Sequence, residues 1–349
     1  MDFSLFYFAD DSTRDRDAGR YELLLEGARF ADRHGFRAVW TPERHFHSFG
    51  GLYPNPAVVG AALAMVTSTI AIRAGSVVSP LHHPVRIAEE WSVVDNLSGG
   101  RAGVSLASGW HPVDFALSRV PYDDRKRAML KSIEQIRGLW RGDAHAVVDG
   151  NGAPATVRIF PPPVQRDLPL WVTSAGEVDT FRTAAAARAG VLTHLLHQDI
   201  GELAAKITEY RRTARERHDG WEGHVVLMLH TFLGPGRDEV RGIVEGPLRD
   251  YLRSSVGLIA RSVGALDPEF DIDVLDDEDI DFLVSQSFDT YFDERGLFGT
   301  VEEAAGTVER LRGIGVDEIA CLVDFGIDTE TVLGGLRYLN ALREASVEN

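Results

Sequence analysis

The stretch RAGVSLASGWHP, Arg101 to Pro112, alternates with a period of two over its first nine residues. Gly103, Ser105, Ala107 and Gly109 share one face, and all four are small. Ala102, Val104 and Leu106 share the other, where they suit packing under helices. The small face is unusual, because barrel interiors are normally filled by bulky branched side chains. It either permits close helix–sheet packing or leaves room for something flat and large.

On both sides of this strand, β-type runs alternate with amphipathic helical stretches almost to the end of the chain. The strands read are 3–8, 36–41, 70–77, 101–107, 169–174, 191–196, 224–232 and 317–323. Helical stretches include 17–34, 84–97, 121–140, 177–189 and 199–218, the last with Asp199 and Glu202 as a capping box. Eight strands with helices between them predict an α/β fold, a (β/α)8 TIM barrel, as a single domain over 1–349. A doubly wound open sheet is the alternative, but no Gly-rich dinucleotide turn follows strand one.

Two insertions are expected, after strands four and seven. Residues 142–168 hold turn signals and three successive prolines, so they read as a hairpin or loop excursion. Residues 262–298 are acidic around DPEFDIDVLDDEDID and are expected either to cover the barrel mouth as a lid or to form a solvated excursion.

Composition narrows the function. The 349 residues are 44% hydrophobic and 26% charged, ordinary for a globular protein with a large core. A net charge of -17 argues against a sequence-independent nucleic-acid binder and gives no support to binding anionic membranes. The single cysteine, Cys321, lies in the apolar run IACLV, which excludes disulfides within the chain and disfavours thiol catalysis. The start MDFSLFYFADD has neither a basic region nor an apolar run long enough for a signal peptide, so a cytoplasmic location is expected.

Barrel active sites form where strands end. Candidates there are Glu43, Arg44, His45 and His47 after strand two, and Ser76, Ser79, His82 and His83 after strand three. The later strands add ASGWHP (107–112), SAGEVDT (174–180), His194, His197, His230 and Asp324. In WVTSAGEVDTF the N–H groups of Ala175, Gly176 and Glu177, with the hydroxyls of Ser174 and Thr180, would converge on an anion at a helix N-terminus. The loop GPGRDE (234–239) is a rival phosphate site, read as a plain turn because Pro235 removes a donor. HFH (45–47) invites a zinc reading, but strands one and five end in YFAD and VTSAG, without the histidines such barrels need, so no metal is expected.

The ordered segments WTPERHF with LYPNP, GSVVSPLHHPVRIAEEWSVVDNLSGGR, SGWHPVDF, PLWVTSAGEVDTF and LFGTVEEA with GVDEIACLVDFG resemble the bacterial luciferase-like flavin monooxygenases. Within them the resemblance points to the branch associated with natural-product biosynthesis, and it spans about residues 3 to 343. It implies a TIM barrel that holds reduced FMN at its mouth and inserts one oxygen atom from O2 through a flavin C4a-peroxide. A separate flavin reductase, a small-molecule or carrier-bound substrate and a homodimer are implied with it. The resemblance puts Ala107 beside the reactive edge of the flavin, Ser108 and Gly109 towards the phosphate end, and the phosphate on the Thr173, Ser174, Ala175, Gly176 and Thr180 turn. It also assigns Phe6 and Ser76 to the flavin, with a cis peptide at Gly75–Ser76, and makes Arg101 structural. ERHF (43–46) is similar to a Glu-His-His-Phe stretch whose first histidine is assigned to catalysis. Here that histidine is Arg44, which cannot act as a base near neutral pH but can stabilise an anion. Glu43, Arg44 and His45 form the expected catalytic set, with His45 for proton donation or flavin contact. An F420-dependent hydride transfer on the same barrel is the second reading. The basic run RRTARER (211–217) is expected to be a solvated helix face rather than a dock for an acidic carrier.

Overall fold

The computed structural model describes residues 1–8, 19–48, 50–196, 198–264, 284 and 288–347. The strands are β1 (Asp2–Phe6), β2 (Ala38–Thr41), β3 (Ala71–Val78), β4 (Ala102–Ala107), β5 (His145–Val148), β6 (Pro154–Val157), β7 (Leu170–Ser174), β8 (Gly190–His194), β9 (Val225–Leu233), β10 (Leu297–Gly299) and β11 (Glu318–Leu322). Neighbours run β9-β11-β1-β2-β3-β4-β7-β8, and β8 pairs back onto β9, so eight strands close a ring. Every pairing in the ring is parallel. Closure makes this the expected TIM barrel and removes the open-sheet alternative.

The described helices are α1 (Glu22–Arg33), α2 (Pro56–Ala64), α3 (Pro84–Ser98), α4 (Arg125–Trp140), α5 (Val178–Ala186), α6 (Ile200–Arg217), α7 (Arg237–Gly264), α8 (Val301–Gly313) and α9 (Thr329–Val347). Local chemistry sets several of their ends. Asn55 accepts from the N–H groups of Ala57 and Val58 to start α2, and α6 and α8 each open on a full capping box. Gly99, at φ 68, stops α3 in the left-handed conformation that glycine adopts at least cost. Arg101 then donates to the Ile70 carbonyl at 2.6 Å, the Ser98 carbonyl at 2.7 Å and the Thr67 carbonyl at 3.0 Å. It ties the start of β4 to the chain entering β3, the structural role expected for it.

The lower interior of the barrel is a polar and aromatic plug. Glu318, fully buried, accepts from Ser4 at 2.5 Å, Trp40 Nε1 at 2.9 Å and Arg73 Nη1 at 2.8 Å. The Arg73 guanidinium lies 5.0 Å from the Trp40 ring and 4.6 Å from the Trp171 ring. Trp171 in turn donates to His224 at 3.0 Å. A Cβ on Gly103 would sit 3.1 Å from Trp171 and 3.2 Å from Arg73. The small face of β4 therefore needs correcting: its lower half is small because the protein's own Trp171 and Arg73 fill the space. Only near Ala107, which is partly exposed, does that face reach the open end.

The excursion at 142–168 contains the antiparallel β5–β6 hairpin. It lies between α4 and β7, which puts it on the side of the strands' N-terminal ends, away from the mouth. Of the segment 262–298, expected as a lid or a solvated excursion, residues 265–283 and 285–287, which carry its acidic stretch, lie outside the described residues, as does His197. Before that stretch, α7 crosses the mouth end: a Cβ on Gly326, just past β11, would lie 3.4 Å from Pro247 of α7. β10 then extends the outer end of β9, and α8 follows it.

Candidate functional site

Glu43 leaves the end of β2 and is 7% exposed. Its Oε1 lies 2.9 Å from His45 Nε2 and 2.5 Å from His82 Nε2, while its Oε2 accepts from the Val78 N–H at 2.7 Å. Burial alone would push this carboxyl up; the hydrogen bonds from His45, His82 and Val78 outweigh it and hold the group below the usual carboxylate range. For His82, burial disfavours the charge, but the bond to Glu43 prevails and raises its pKa. The result is a carboxylate shared by two imidazoles. His82, 39 residues further on in sequence and a candidate in its own right after strand three, completes an arrangement whose expected catalytic set held only Glu43, Arg44 and His45.

Arg44 points away from Glu43, towards the loop between β4 and α4. Its Nη1 is 3.3 Å from Asp114 Oδ2, and Trp110 lies over its guanidinium at 4.7 Å. Asp114 Oδ1 is 3.2 Å from His111 Nδ1. HFH does not converge on one point, since His45 is committed to Glu43 and His47 is half-buried further along the loop. His83 caps α3 by accepting from the Val85 N–H.

A cavity of about 430 Å³ opens between the end of β7 and the first turns of α4 and α5. Ser108, Gly109, Thr173, Ser174, Ala175 and Thr180, all expected around a cofactor, line it. Arg125 and Lys126 line it as well, and neither was among the residues expected there from the sequence. They precede the fifth strand by some distance in sequence, and only the packing of α4 beside α5 brings them there. Arg125 Nε is buried without a partner among the described residues, and Lys126 reaches Glu177 at 2.7 Å. Gly176, at φ 123, donates its N–H to Ser174 Oγ at 3.2 Å, so that hydroxyl already serves the turn.

Beside the cavity, Ser76 and Ser105 both bond to Thr173, the latter at 2.7 Å, making a line of hydroxyls across β3, β4 and β7. The Gly75–Ser76 peptide is cis, as the resemblance implied. Phe6 packs against it so closely that a Cβ on Gly75 would lie 2.6 Å from the Phe6 ring. Asp324 accepts from the Phe8 N–H at 2.6 Å and from Tyr53 at 3.1 Å, tying β11 to the β1 and β2 loops. His230, on β9, is enclosed by Tyr251, Phe325 and Tyr291 at ring separations of 4.8, 5.6 and 6.1 Å. Burial, with His194 nearby, pushes its pKa down to about 3, so it stays neutral.

Asp2, His224 and Glu318 come within ligand distance of one another at the opposite end of the barrel. Glu318 already accepts from Ser4, Trp40 and Arg73, and the Arg73 guanidinium supplies it with a positive charge. In the RRTARER run, Arg211 bonds to Asp317 at 2.7 Å and Arg212 to Glu209 and Glu216 at 2.9 and 2.7 Å, so both arginines are engaged within the chain.

Residues 1–318 match the luciferase-like monooxygenase family. The whole chain aligns, at 25% identity, with 96% of the oxygenase component of a flavin-dependent trigonelline monooxygenase from Acinetobacter baylyi. Among solved structures, a Streptomyces bottropensis monooxygenase superposes with a TM-score of 0.79 at 22% identity, covering 99% of this chain and 100% of the other. The oxygenating constituent of 3,6-diketocamphane monooxygenase from Pseudomonas putida, solved with FMN, gives 0.74 at 18% identity, covering 97% of each chain. A match over nine-tenths of its length, on a closed barrel whose mouth gathers the polar groups described above, means that the chain belongs to the luciferase-like monooxygenase family.

Proposed function

We propose that this protein is the oxygenase component of a two-component system, using reduced FMN from a separate reductase to oxygenate a small-molecule or carrier-tethered biosynthetic intermediate. The observation that carries this reading is the cavity at the end of β7, where hydroxyls, two cations and the N-terminus of α5 gather. A phosphate suits that chemistry: the helix terminus and Arg125 favour negative charge, and the idle Nε of Arg125 gains a partner. Thr180 adds a hydroxyl donor from the first turn of α5. The Ser76–Thr173–Ser105 line would give the flavin ring a polar edge to lie against, and Ala107 leaves the room it needs. Reduced FMN, when bound, supplies the electron pair with which dioxygen is divided between the oxidised substrate and water.

The chain's own task is then to orient the substrate, exclude water and manage one proton. Glu43 holds His45 and His82 by the same oxygen, which fixes both rings and favours the charged form of His82. Binding of photoreduced FMN and riboflavin, measured anaerobically, tests the cofactor assignment. Arg125→Met with Thr180→Ala should weaken FMN by at least about tenfold while changing riboflavin little, since a charge-assisted hydrogen bond contributes about 1.5–3 kcal/mol. Equal losses for both flavins would place the phosphate elsewhere. An F420-dependent hydride transfer would proceed without oxygen, so oxygen consumption with product formation separates the two chemistries.

A further inference from the structure

Arg44 leaves most of its hydrogen-bonding capacity unused. The residue is 3% exposed, and its Nε and Nη2 are buried with no partner among the described residues. Its remaining nitrogen, Nη1, reaches Asp114 at 3.3 Å, a long contact for a charged pair. A guanidinium taken out of water with donors that no described residue engages is costly unless something else engages them. The stem is also fixed: a Cβ on Gly50 would lie 2.9 Å from Arg44 Cγ, so the backbone of Gly50 clamps the side chain in place.

The two idle donors are neighbours. Nε–H and Nη2–H lie along one edge of a planar guanidinium and point the same way, spaced to meet both oxygens of a carboxylate. Asp114 takes Nη1 and leaves that edge free. It also offsets part of the positive charge, so a monoanion suits the edge better than a doubly charged phosphate. Trp110 covers the guanidinium at 4.7 Å, is 42% exposed, and also lines the cavity at the end of β7. A flat group next to the carboxylate would therefore find an indole to stack against, between Arg44 and that cavity.

We propose that Arg44 seats a carboxylate of the substrate, bound bidentate through Nε and Nη2, with Trp110 packing on the group that bears it. The proposal rests on the mouth being the site of oxygenation and names the class of substrate taken there: a small carboxylic acid with a planar apolar portion next to the carboxylate.

Benzoate is the probe, titrated by saturation-transfer NMR and calorimetry into the full-length protein without flavin. The expected result is that benzoate binds at least about tenfold more tightly than benzamide or benzyl alcohol. Arg44→Met should remove that preference, and Arg44→Lys, which keeps the charge but not the fork, should not restore it. Benzamide binding as well as benzoate, no benzoate binding at all, or an unchanged preference in Arg44→Met would overturn the proposal. So would displacement of benzoate by an equal concentration of inorganic phosphate. Should Arg44→Met fail to fold, the discrimination shown by the unaltered protein decides by itself. Photoreduced FMN is titrated into the same preparations: its failure to bind bears on the oxygenase reading, while failure of benzoate alone bears only on this one.

Discussion

At Glu43 one carboxylate serves two histidines, and the consequences can be measured at His82. The His82 pKa is raised above 6.5 and the Glu43 pKa is held below 4.5. The pair is therefore fully charged between those folded-state values. Its contribution to stability is lost as pH falls through the Glu43 value and as pH rises through the His82 value. Glu43→Gln keeps the shape and removes the charge. His82, followed by NMR of its ring protons, should then titrate at a lower pH than in the unaltered protein, and the decline in stability on the alkaline side should flatten. An unmoved His82 titration would mean that Glu43 does not carry the charge assigned to it. Glu43 was legible in the sequence because ERHF sits at the end of a recognisable strand. Its partnership with His82 was not, because that depends on β2 and β3 lying side by side, with the turn after β3 bending back over Glu43.

β4 shows at the level of one element what a periodic pattern can and cannot convey. Its alternation, its boundaries and its place in a barrel followed from side-chain size and period alone. The reason for the small face did not, since the residues that fill it, Arg73 and Trp171, belong to two other strands. The eight-strand count was legible for a related reason: each barrel strand is buried on both faces and so reads as a short apolar run between turn signals. β10, three residues long, carries no such pattern. Two substitutions on the same face of β4 should therefore diverge. Gly103→Leu pushes side-chain atoms into the Trp171–Arg73 layer and should destabilise the fold by about 1–3 kcal/mol, seen as a lowered urea midpoint, without altering flavin affinity per folded molecule. Ala107→Leu should leave the urea midpoint of the flavin-free protein nearly unchanged and weaken reduced-FMN binding. If Ala107→Leu unfolds the protein as readily as Gly103→Leu, the upper half of β4 is packed core and the flavin lies elsewhere.

The barrel as a whole divides into a lower end that holds it together and an upper end where the chemistry is proposed, and the two should respond separately to mutation and to acid. At the lower end the fully buried Glu318 joins β11 to β1, β2 and β3 through Ser4, Trp40 and Arg73. Burial alone would raise the Glu318 pKa, but Arg73 and His224, with the hydrogen bonds from Ser4 and Trp40, bring it below 4.5. Its stabilisation is thus complete above 4.5 and is lost as pH falls through the lower folded value. His224 and His230 act in the same direction, because burial depresses both, and each must gain a proton on unfolding as pH drops below 6.5. Acid should therefore unfold the molecule cooperatively from the inside of the barrel. Arg73→Met leaves Glu318 as an uncompensated buried charge, which typically costs about 3–5 kcal/mol. Its urea midpoint at pH 7 should fall accordingly, and should partly recover in the double variant Arg73→Met with Glu318→Gln, where no charge is left stranded. Neither variant touches the mouth, so both should bind photoreduced FMN with unaltered affinity while folded. Loss of flavin affinity in the stable double variant would show that the lower plug also sets the geometry of the mouth, and that the two ends are not separable.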